Sequence, residues 1–261
     1  MLPFIKIFER VYPTYVILGL VGLFVGIFVA GLRAHRYGLL RSDLVYIGAF
    51  SGLGVLPGGV LLFGITQIPY IWANRAYLTS DFFYYVSRFF GGMVFYGGLF
   101  GSIAGIYLYC RFMGLQFSTV MKLVIPVFPL AHAIMRIGCF AGGCCYGIEC
   151  SPPFGIAFTQ SIGAPNGVPL LPVQIYEAVS NIIIFLIMWH YTKKERNWID
   201  ITCLYGLMYS FVRFWIEFLR GDTIRGFILG LSTSQFISII IFIACLLSLY
   251  LHRVMPRKAT D

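Results

Sequence analysis

The chain has 261 residues, of which 59% are hydrophobic and only 11% are charged, and its formal net charge is +9. This composition excludes a soluble domain, because a chain with so few charges must place most of its surface in lipid. The positive charge does not indicate nucleic-acid binding, because the basic residues are distributed among the loops between apolar segments. We therefore expect an all-α, polytopic integral membrane protein with no nucleic-acid partner.

Seven apolar segments are each long enough to span a bilayer, which takes about 20 residues. We expect one membrane-embedded domain over residues 1–261, because the spacing of the segments leaves no room for a soluble domain. The first segment follows a charged, proline-containing lead and lacks a small-residue cleavage site, so we expect a retained helix and not a signal peptide. The predicted spans are 14–32, 44–65, 83–109, 120–140, 174–191, 200–218 and 234–251.

The basic residues predict the orientation of the chain. The loop at residues 141–171 has no Lys or Arg, whereas the loops after the first, third and fifth segments and the tail after the seventh are basic. By the positive-inside rule, the N-terminus lies outside and the C-terminus in the cytoplasm. The loop at 141–171 then faces outward, over a membrane-embedded cavity, with short extended pieces near residues 154–158. The basic residues concerned are Arg33, Arg36, Arg41, Arg111, Lys122, Lys193, Lys194, Arg196, Arg253, Arg257 and Lys258.

The third apolar segment contains a glycine-rich stretch at residues 91–101. Small residues in membrane helices allow two backbones to pack closely. The same glycines would also let a ligand approach the backbone. Tyr96, Gly97 and Gly98 are therefore candidates for substrate contact, although close helix packing explains the glycines equally well.

The fourth apolar segment carries His132, Arg136 and Cys139. The first two are four residues apart, and Cys139 follows one turn later on the same helical face. Ionisable residues are costly inside a membrane and usually mark a functional pathway. His132 is the histidine that the sequence places best for catalysis.

Two further groups of polar residues reach the same predicted depth, at the outer ends of the fifth and sixth segments. Structural ion pairs between Glu177 and Arg136 and between Glu217 and Arg213 would account for some of them. Several arginines at headgroup depth also fit a phosphate ligand, which guanidinium groups bind with paired hydrogen bonds. The obvious phosphate at this depth belongs to a phospholipid. The two groups are Gln174, Tyr176, Glu177 and Asn181, and Arg213, Glu217, Arg220 and Asp222.

Four cysteines, Cys139, Cys144, Cys145 and Cys150, lie near the outer end of the fourth segment. They could form disulfides or pack as apolar side chains, and a thiol near Arg136 could be nucleophilic. A soft-metal site is a third interpretation, but this cysteine spacing is not a recognised zinc motif. We predict no metal and no organic cofactor.

Four ordered motifs resemble those of the bacterial prolipoprotein diacylglyceryl transferase family, and the resemblance runs from about residue 47 to 240. Residues 91–98 (GGMVFYGG) resemble the family's Gly-Gly-Met-x-Phe-His-Gly-Gly, and residues 136–140 (RIGCF) its Arg-(Ile/Leu)-Gly-Asn-Phe. Residues 172–177 (PVQIYE) resemble Pro-Ser-Gln-Leu-Tyr-Glu, and residues 213–220 (RFWIEFLR) resemble Arg-x-x-x-Glu-Phe-x-Arg.

The chain departs from the family pattern mainly on the side that activates the acceptor thiol. It matches the family at Arg136, Gln174, Tyr176, Glu177, Arg213, Glu217 and Arg220. Different residues stand where the family has two histidines, an asparagine, a glutamate, an arginine and a tyrosine. These replacements are Tyr96, Leu171, Cys139, Cys144, Val60 and Leu18.

The resemblance implies transfer of a diacylglyceryl group from phosphatidylglycerol to a lipobox cysteine of a lipoprotein precursor, with release of glycerol phosphate. It implies a multi-pass protein of the bacterial cytoplasmic (inner) membrane whose active site opens toward the outer leaflet. His132, Arg136, Tyr96, Cys139 and Glu177 are the expected catalytic residues, with His132 as the base.

The substrate-binding residues would be Arg213, Glu217, Arg220, Gln174, Tyr176, Gly97 and Gly98. The altered thiol side leaves two alternatives open. One is transfer of glycerol or glycerol phosphate to another outer-face acceptor such as an envelope glycan. The other is a non-catalytic phospholipid-binding protein.

Overall fold

The computed structural model of the chain describes residues 1–75, 80–222, 227–228 and 230–254. Arg257 and Lys258 of the predicted basic tail lie outside these residues. The described part contains eight α-helices and three two-stranded hairpins. The helices are α1 (Thr14–Gly31), α2 (Arg41–Ala73), α3 (Phe82–Phe90), α4 (Phe95–Met113), α5 (Phe117–Gly142), α6 (Val173–Tyr191), α7 (Trp198–Ile216) and α8 (Thr233–Val254).

Six of the described helices are long and apolar enough to cross a membrane: α1, α2, α5, α6, α7 with the 3-10 turn Glu217–Leu219, and α8. Large apolar side chains point away from the protein along these helices, as Phe24 and Phe28 do on α1, at 66% and 70% exposure. Such side chains need lipid around them. The predicted class, an all-α polytopic membrane protein, is confirmed.

The predicted third span, 83–109, differs from the structure because it is divided into two helices. Residues 91–94 are not helical, and the amide of Val94 donates instead to the carbonyl of Gly59 at 3.1 Å. The adjacent glycines Gly91 and Gly92 favour this break, since glycine has a low helix propensity. α4 has 19 residues but is not one of the six apolar helices, because it contains four glycines, three tyrosines and Arg111.

The chain forms two compact units, and the smaller comprises residues 31–120. In this unit α2 packs along α4 through glycines on both helices. A Cβ atom added at Gly54 or Gly58 would collide with the carbonyl oxygens of Gly101 and Gly97. The two backbones are therefore in direct contact, as small residues allow in membrane helices.

The larger unit comprises residues 1–30 and 121–261. Its N-terminal hairpin pairs β1 (Phe4–Ile7) with β2 (Arg10–Pro13) and leads into α1. α1 lies against α5, since a Cβ atom at Gly22 would be 2.7 Å from the carbonyl oxygen of Ala131. α7 packs against both α6 and α8. α5, α6 and α7 all belong to this unit.

The predicted loop after the fourth span has a small core of its own, formed by Phe158, Ala164 and Leu170. The strands β3 (Ile156–Ala157) and β4 (Pro169–Leu170) pair within it, so the extended piece predicted near 154–158 is confirmed. The remaining hairpin joins β5 (Phe227–Ile228) to β6 (Leu231–Ser232).

Backbone hydrogen bonds hold the start of this loop between two other segments. The amide of Gly147 donates to the carbonyl of Leu171, and the amide of Ile148 donates to that of Leu219. The amide of Gly221 donates to the carbonyl of Tyr146. Residues 144–150 are thereby fixed beside the ends of α6 and α7.

Candidate functional site: a buried arginine–carboxylate network beside three thiols

His132 and Arg136 contact each other on α5, as their spacing of four residues predicts. His132 is buried, packed between Phe128 and Tyr209, and its Nε2 accepts a hydrogen bond from Arg136 Nε at 3.2 Å. A nitrogen that accepts from a guanidinium carries no proton, so this contact assigns the neutral ring with hydrogen on Nδ1. The arginine side chain is thus oriented by a histidine on its own helix.

Glu177 on α6 lies at the centre of the network. Its Oε2 is 2.7 Å from Arg136 Nε, and its Oε1 accepts a hydrogen bond from Arg213 Nη1, also at 2.7 Å. Arg220 Nη1 is 3.7 Å from the same Oε1. The side chain of Glu177 is only 4% exposed. One buried carboxylate therefore joins arginines from α5, from α7 and from the turn that follows α7.

Further carboxylates and a hydroxyl complete the network. Arg213 Nη2 lies 2.6 Å from Glu217 Oε2 and donates to Ser234 Oγ at 3.0 Å. Arg220 donates to both oxygens of Asp222, at 2.8 and 2.6 Å. The predicted ion pairs of Glu177 with Arg136 and of Glu217 with Arg213 are both confirmed. The predicted convergence of charged groups from three segments is also confirmed.

The network offers more hydrogen-bond donors than its own carboxylates use. Each guanidinium carries five N–H donors. Among the described residues, the buried Nη1 of Arg220 has no hydrogen-bond partner. Arginines arranged in this way can bind a phosphodiester with charge-assisted hydrogen bonds. The arrangement is therefore a candidate anion site inside an apolar protein.

Three further polar residues of α6 differ in their surroundings. Gln174 is fully buried and its Nε2 donates to the carbonyl of Cys144 at 2.7 Å, so it holds the start of the loop. Tyr176 is 37% exposed, and no hydrogen bond joins it to the charged network in the described structure. Asn181 is buried one turn beyond Glu177 and donates to the carbonyl of Glu177 at 2.8 Å.

Of the four cysteines that the sequence groups near the end of the fourth segment, three bring their thiols together next to this network. The Sγ atoms of Cys139, Cys144 and Cys145 all lie within 4.8 Å of one another. The backbone folds back through positive φ angles of 66° at Gly143 and 59° at Cys145. Left-handed backbone of this kind is hard to foresee at a cysteine. None of the seven cysteines, all of which are described, forms a disulfide.

Charge and hydrogen bonding distinguish Cys145 from its neighbours. Hydrogen bonds with the thiols of Cys139 and Cys144 lower the pKa of Cys145, and the guanidinium groups of Arg136 and Arg220 lower it further. These hydrogen bonds and both arginines favour the thiolate form. Among the described residues, Cys139, Cys144 and Cys145 form the group that could bind a metal ion.

Tyr96, Gly97 and Gly98 lie in the unit formed by residues 31–120, at the start of α4. A Cβ atom at Gly97 would collide with the carbonyl of Gly58, and one at Gly98 would lie 3.3 Å from Val55 Cγ1. Their contacts are those of close helix packing, one of the two interpretations that the sequence left open. Tyr96 itself is half-buried.

These features define a multi-span membrane protein with a buried network of arginines and carboxylates at the ends of three apolar helices. The sequence model of the family described as prolipoprotein diacylglyceryl transferase matches residues 4–251. The chain belongs to this family.

Named relatives match most of the chain. The phosphatidylglycerol–prolipoprotein diacylglyceryl transferase of Clostridium tetani is 33% identical over 219 residues, which are 84% of this chain and 84% of that protein. Transferase 2 of Clostridium perfringens is 36% identical over 228 residues, 87% of this chain and 86% of that protein. The transferase of Bordetella parapertussis is 33% identical over 226 residues, 85% and 82% of the two chains.

Proposed function

We propose that this chain transfers the diacylglyceryl group of phosphatidylglycerol to the thiol of a lipobox cysteine in a lipoprotein precursor and releases glycerol phosphate. The names of the relatives, which are 33% and 36% identical in the two clostridial cases, support this activity. The structural observation that carries it is the buried carboxylate of Glu177 bound to Arg136 and Arg213 at 2.7 Å. Such a cluster inside lipid is costly unless it serves a charged substrate.

In this reaction the acceptor sulfur attacks the glycerol carbon that bears the phosphate. The carbon–oxygen bond breaks, and its electron pair stays with the departing phosphate. Arg136, Arg213 and Arg220 are the groups that we assign to this phosphate, because their donors are held rigidly in a site shielded from water. Fixed donors aimed at developing negative charge are typically worth about 10²–10³ in rate per donor.

His132 was predicted to be the base that deprotonates the acceptor thiol. Its Nε2 already accepts a hydrogen bond from Arg136 at 3.2 Å, so its free lone pair is engaged. We therefore assign His132 a positioning role, in which it orients Arg136 toward the phosphate. The proton of the acceptor thiol must then leave by another route.

We place the reaction at the outer face of the bacterial cytoplasmic membrane. The support is the absence of Lys and Arg from residues 141–171, which border the network, and the basic character of the alternate loops. Under the positive-inside rule this loop faces outward. A secreted precursor and the phospholipids of the outer leaflet would both reach a site on that side.

The activity is tested by incubating the purified chain in detergent with phosphatidylglycerol and a synthetic lipobox peptide. We expect release of glycerol phosphate and a diacylglyceryl mass increase on the peptide cysteine. A peptide with serine in place of the cysteine serves as the control and is expected to stay unmodified. Consumption of phosphatidylglycerol only with a non-peptide acceptor would contradict the proposal and favour the glycan alternative. No consumption at all would favour a binding protein.

A further inference from the structure

With His132 assigned to positioning, the acceptor thiol needs another means of activation, and three thiols converge beside the arginines. Cys139 lies in the last turn of α5 and is buried, while Cys144 and Cys145 follow the helix and are half-buried. Their sulfur atoms are mutually within 4.8 Å. Cys145 adopts a left-handed backbone, with φ of 59°, and this conformation turns it back toward the helix end. A strained residue of this kind persists only where its surroundings impose it.

We propose that Cys139, Cys144 and Cys145 bind a zinc ion through three thiolates, and that its fourth position binds the acceptor cysteine. This inference rests on the proposed function, because it assigns the acceptor-activating half of that reaction. Cysteines stand here at positions where the family motifs carry an asparagine and a glutamate. The cysteines at these two positions would thus form the acceptor thiolate in another way, through the zinc ion that they help to bind.

The spacing of the thiols fits a zinc site. Zinc–sulfur bonds of about 2.3 Å place the sulfurs of a tetrahedral site roughly 3.8 Å apart. Sulfurs that already lie within 4.8 Å of one another need to move by less than about 1 Å each to reach that geometry. Rotation of cysteine side chains provides this movement without any change of the backbone.

The charges around the thiols also fit a bound ion. Three thiolates and one Zn²⁺ carry a net charge of about −1, which rises to about −2 when a fourth thiolate binds. Arg136 and Arg220 lie within electrostatic range of Cys145 and offset this negative charge. Buried charges require such compensation in a membrane protein.

A fourth coordination position remains open within the described part of the chain. No described histidine, aspartate, glutamate or fourth cysteine joins the group of three. Catalytic zinc sites typically combine three protein ligands with one exchangeable position, whereas structural sites are closed. Gln174 donates to the carbonyl of Cys144 at 2.7 Å and so steadies one ligand from outside the site.

The chemical step then balances as follows. The acceptor thiol coordinates zinc and releases its proton to water, because a coordinated thiol is deprotonated. The sulfur forms a bond to the glycerol carbon, the carbon–oxygen bond breaks, and glycerol phosphate leaves with the electron pair. The product is a neutral thioether, which is a weaker zinc ligand than a thiolate, so the lipidated peptide dissociates.

Metal binding is tested on the full chain, purified in detergent and reduced. Elemental analysis after dialysis against Zn²⁺ is expected to give one zinc per chain. Co²⁺ in its place is expected to give tetrahedral visible bands and a sulfur charge-transfer band. Cys139→Ser, Cys144→Ser and Cys145→Ser are expected to lose these signals. Cys150→Ser is the matched control and retains them, because the Cys150 thiol points to the carbonyl of Ser151 instead, at 3.7 Å.

The fourth position is tested by adding the lipobox peptide to the Co²⁺-loaded chain. We expect the visible bands to shift with the cysteine peptide and to stay unchanged with the serine peptide. Three results would overturn the proposal. The chain could bind no metal, or it could bind metal even when all three cysteines are replaced. It could also bind only Cu⁺, with no response to the peptide. A disulfide between Cys139 and either neighbour in the freshly purified, unreduced chain would also overturn it.

Activity separates this inference from the proposed function. Chelation is expected to lower diacylglyceryl transfer by about 10²-fold or more, the usual contribution of assisted proton removal, and Zn²⁺ restores it. Full transfer by the metal-free chain would overturn the zinc site and leave the proposed function intact. A peptide-dependent Co²⁺ shift with no use of phosphatidylglycerol would support the site and contradict the proposed function.

Discussion

At the scale of single residues, His132 is the side chain to which we assign a role other than the predicted one. It was predicted to be a base, but its Nε2 accepts from Arg136 at 3.2 Å in an aromatic environment. His132→Ala is expected to lower kcat by about 10- to 100-fold, since a hydrogen bond to a charged group is worth about 1.5–3 kcal/mol. The measurement is diacylglyceryl transfer at saturating phosphatidylglycerol.

His132→Gln separates positioning from proton transfer. The glutamine carbonyl can accept a hydrogen bond from Arg136, but an amide cannot accept a proton near neutral pH. A positioning role therefore predicts that His132→Gln recovers much of the lost kcat. Equal inactivity of the alanine and glutamine variants, with both folded, would restore His132 to the role of base.

Glu177 is expected to be a stability determinant as well as a site residue. Its carboxylate is 4% exposed and lies within 2.7 Å of Arg136 and Arg213. Breaking a buried ion pair by removing one partner typically costs about 3–5 kcal/mol, because the remaining charge is left uncompensated. Glu177→Gln should therefore lower the unfolding temperature of the purified chain clearly.

Glu149→Gln is the matched control for this change, because Glu149 is exposed in the loop after α5. Surface substitutions of this kind usually change stability by less than about 0.5 kcal/mol. Equal unfolding temperatures for the two variants would mean that the buried network contributes little to folding.

At the scale of elements, the contact between α2 and α4 depends on the absence of side chains. A Cβ atom at Gly101 would collide with the carbonyl oxygen of Gly54 on the facing helix. Gly101→Ala is expected to destabilise the protein by about 1–3 kcal/mol, the usual cost of overpacking. Thermal unfolding in detergent and the amount of protein recovered from membranes would both fall.

Gly52→Ala, on the facing helix α2, provides the control for this contact. A Cβ atom at Gly52 finds nothing within 4 Å. Alanine also favours helix more than glycine does, so this variant should be neutral or slightly more stable. If Gly101→Ala were as stable as Gly52→Ala, the helices would not be held backbone to backbone.

The elements that hydropathy predicted well are those with long uninterrupted apolar runs. The predicted spans 174–191 and 234–251 correspond to α6 (Val173–Tyr191) and α8 (Thr233–Val254) within two or three residues. The prediction of one continuous helix over 83–109 was wrong, because average hydropathy does not detect the break in the helix at Gly91 and Gly92. Glycine is apolar enough to keep the average hydropathy of a segment high, yet it ends a helix because its helix propensity is low.

The candidate site was predictable where its geometry is helical. Spacing of four residues placed His132 beside Arg136 and Arg213 beside Glu217, and both contacts are present. The three thiols could not be predicted in the same way. Their approach depends on left-handed backbone at Gly143 and Cys145, a tertiary outcome that no residue spacing encodes.

At the scale of the whole molecule, the family follows from ordered motifs, and the membrane class follows from composition. The orientation remains a prediction, and it is based on the distribution of charge alone. The buried network lies at the ends of α6 and α7 that border residues 144–150. The opposite end of α6 leads into the basic turn of Lys193 and Lys194. The two ends of one helix thus differ in charge as the positive-inside rule requires.

This asymmetry predicts which loops an impermeant reagent can reach. Asn166→Cys places a thiol at an exposed position of the loop 141–171, and Lys194→Cys places one in the exposed basic turn after α6. An impermeant maleimide added to intact cells is expected to label Asn166→Cys above the background of the unaltered chain. It should label Lys194→Cys only after the membrane is permeabilised. The reverse pattern would place the network on the cytoplasmic side. A secreted acceptor could not then reach it, and the proposed direction of the reaction would have to be abandoned.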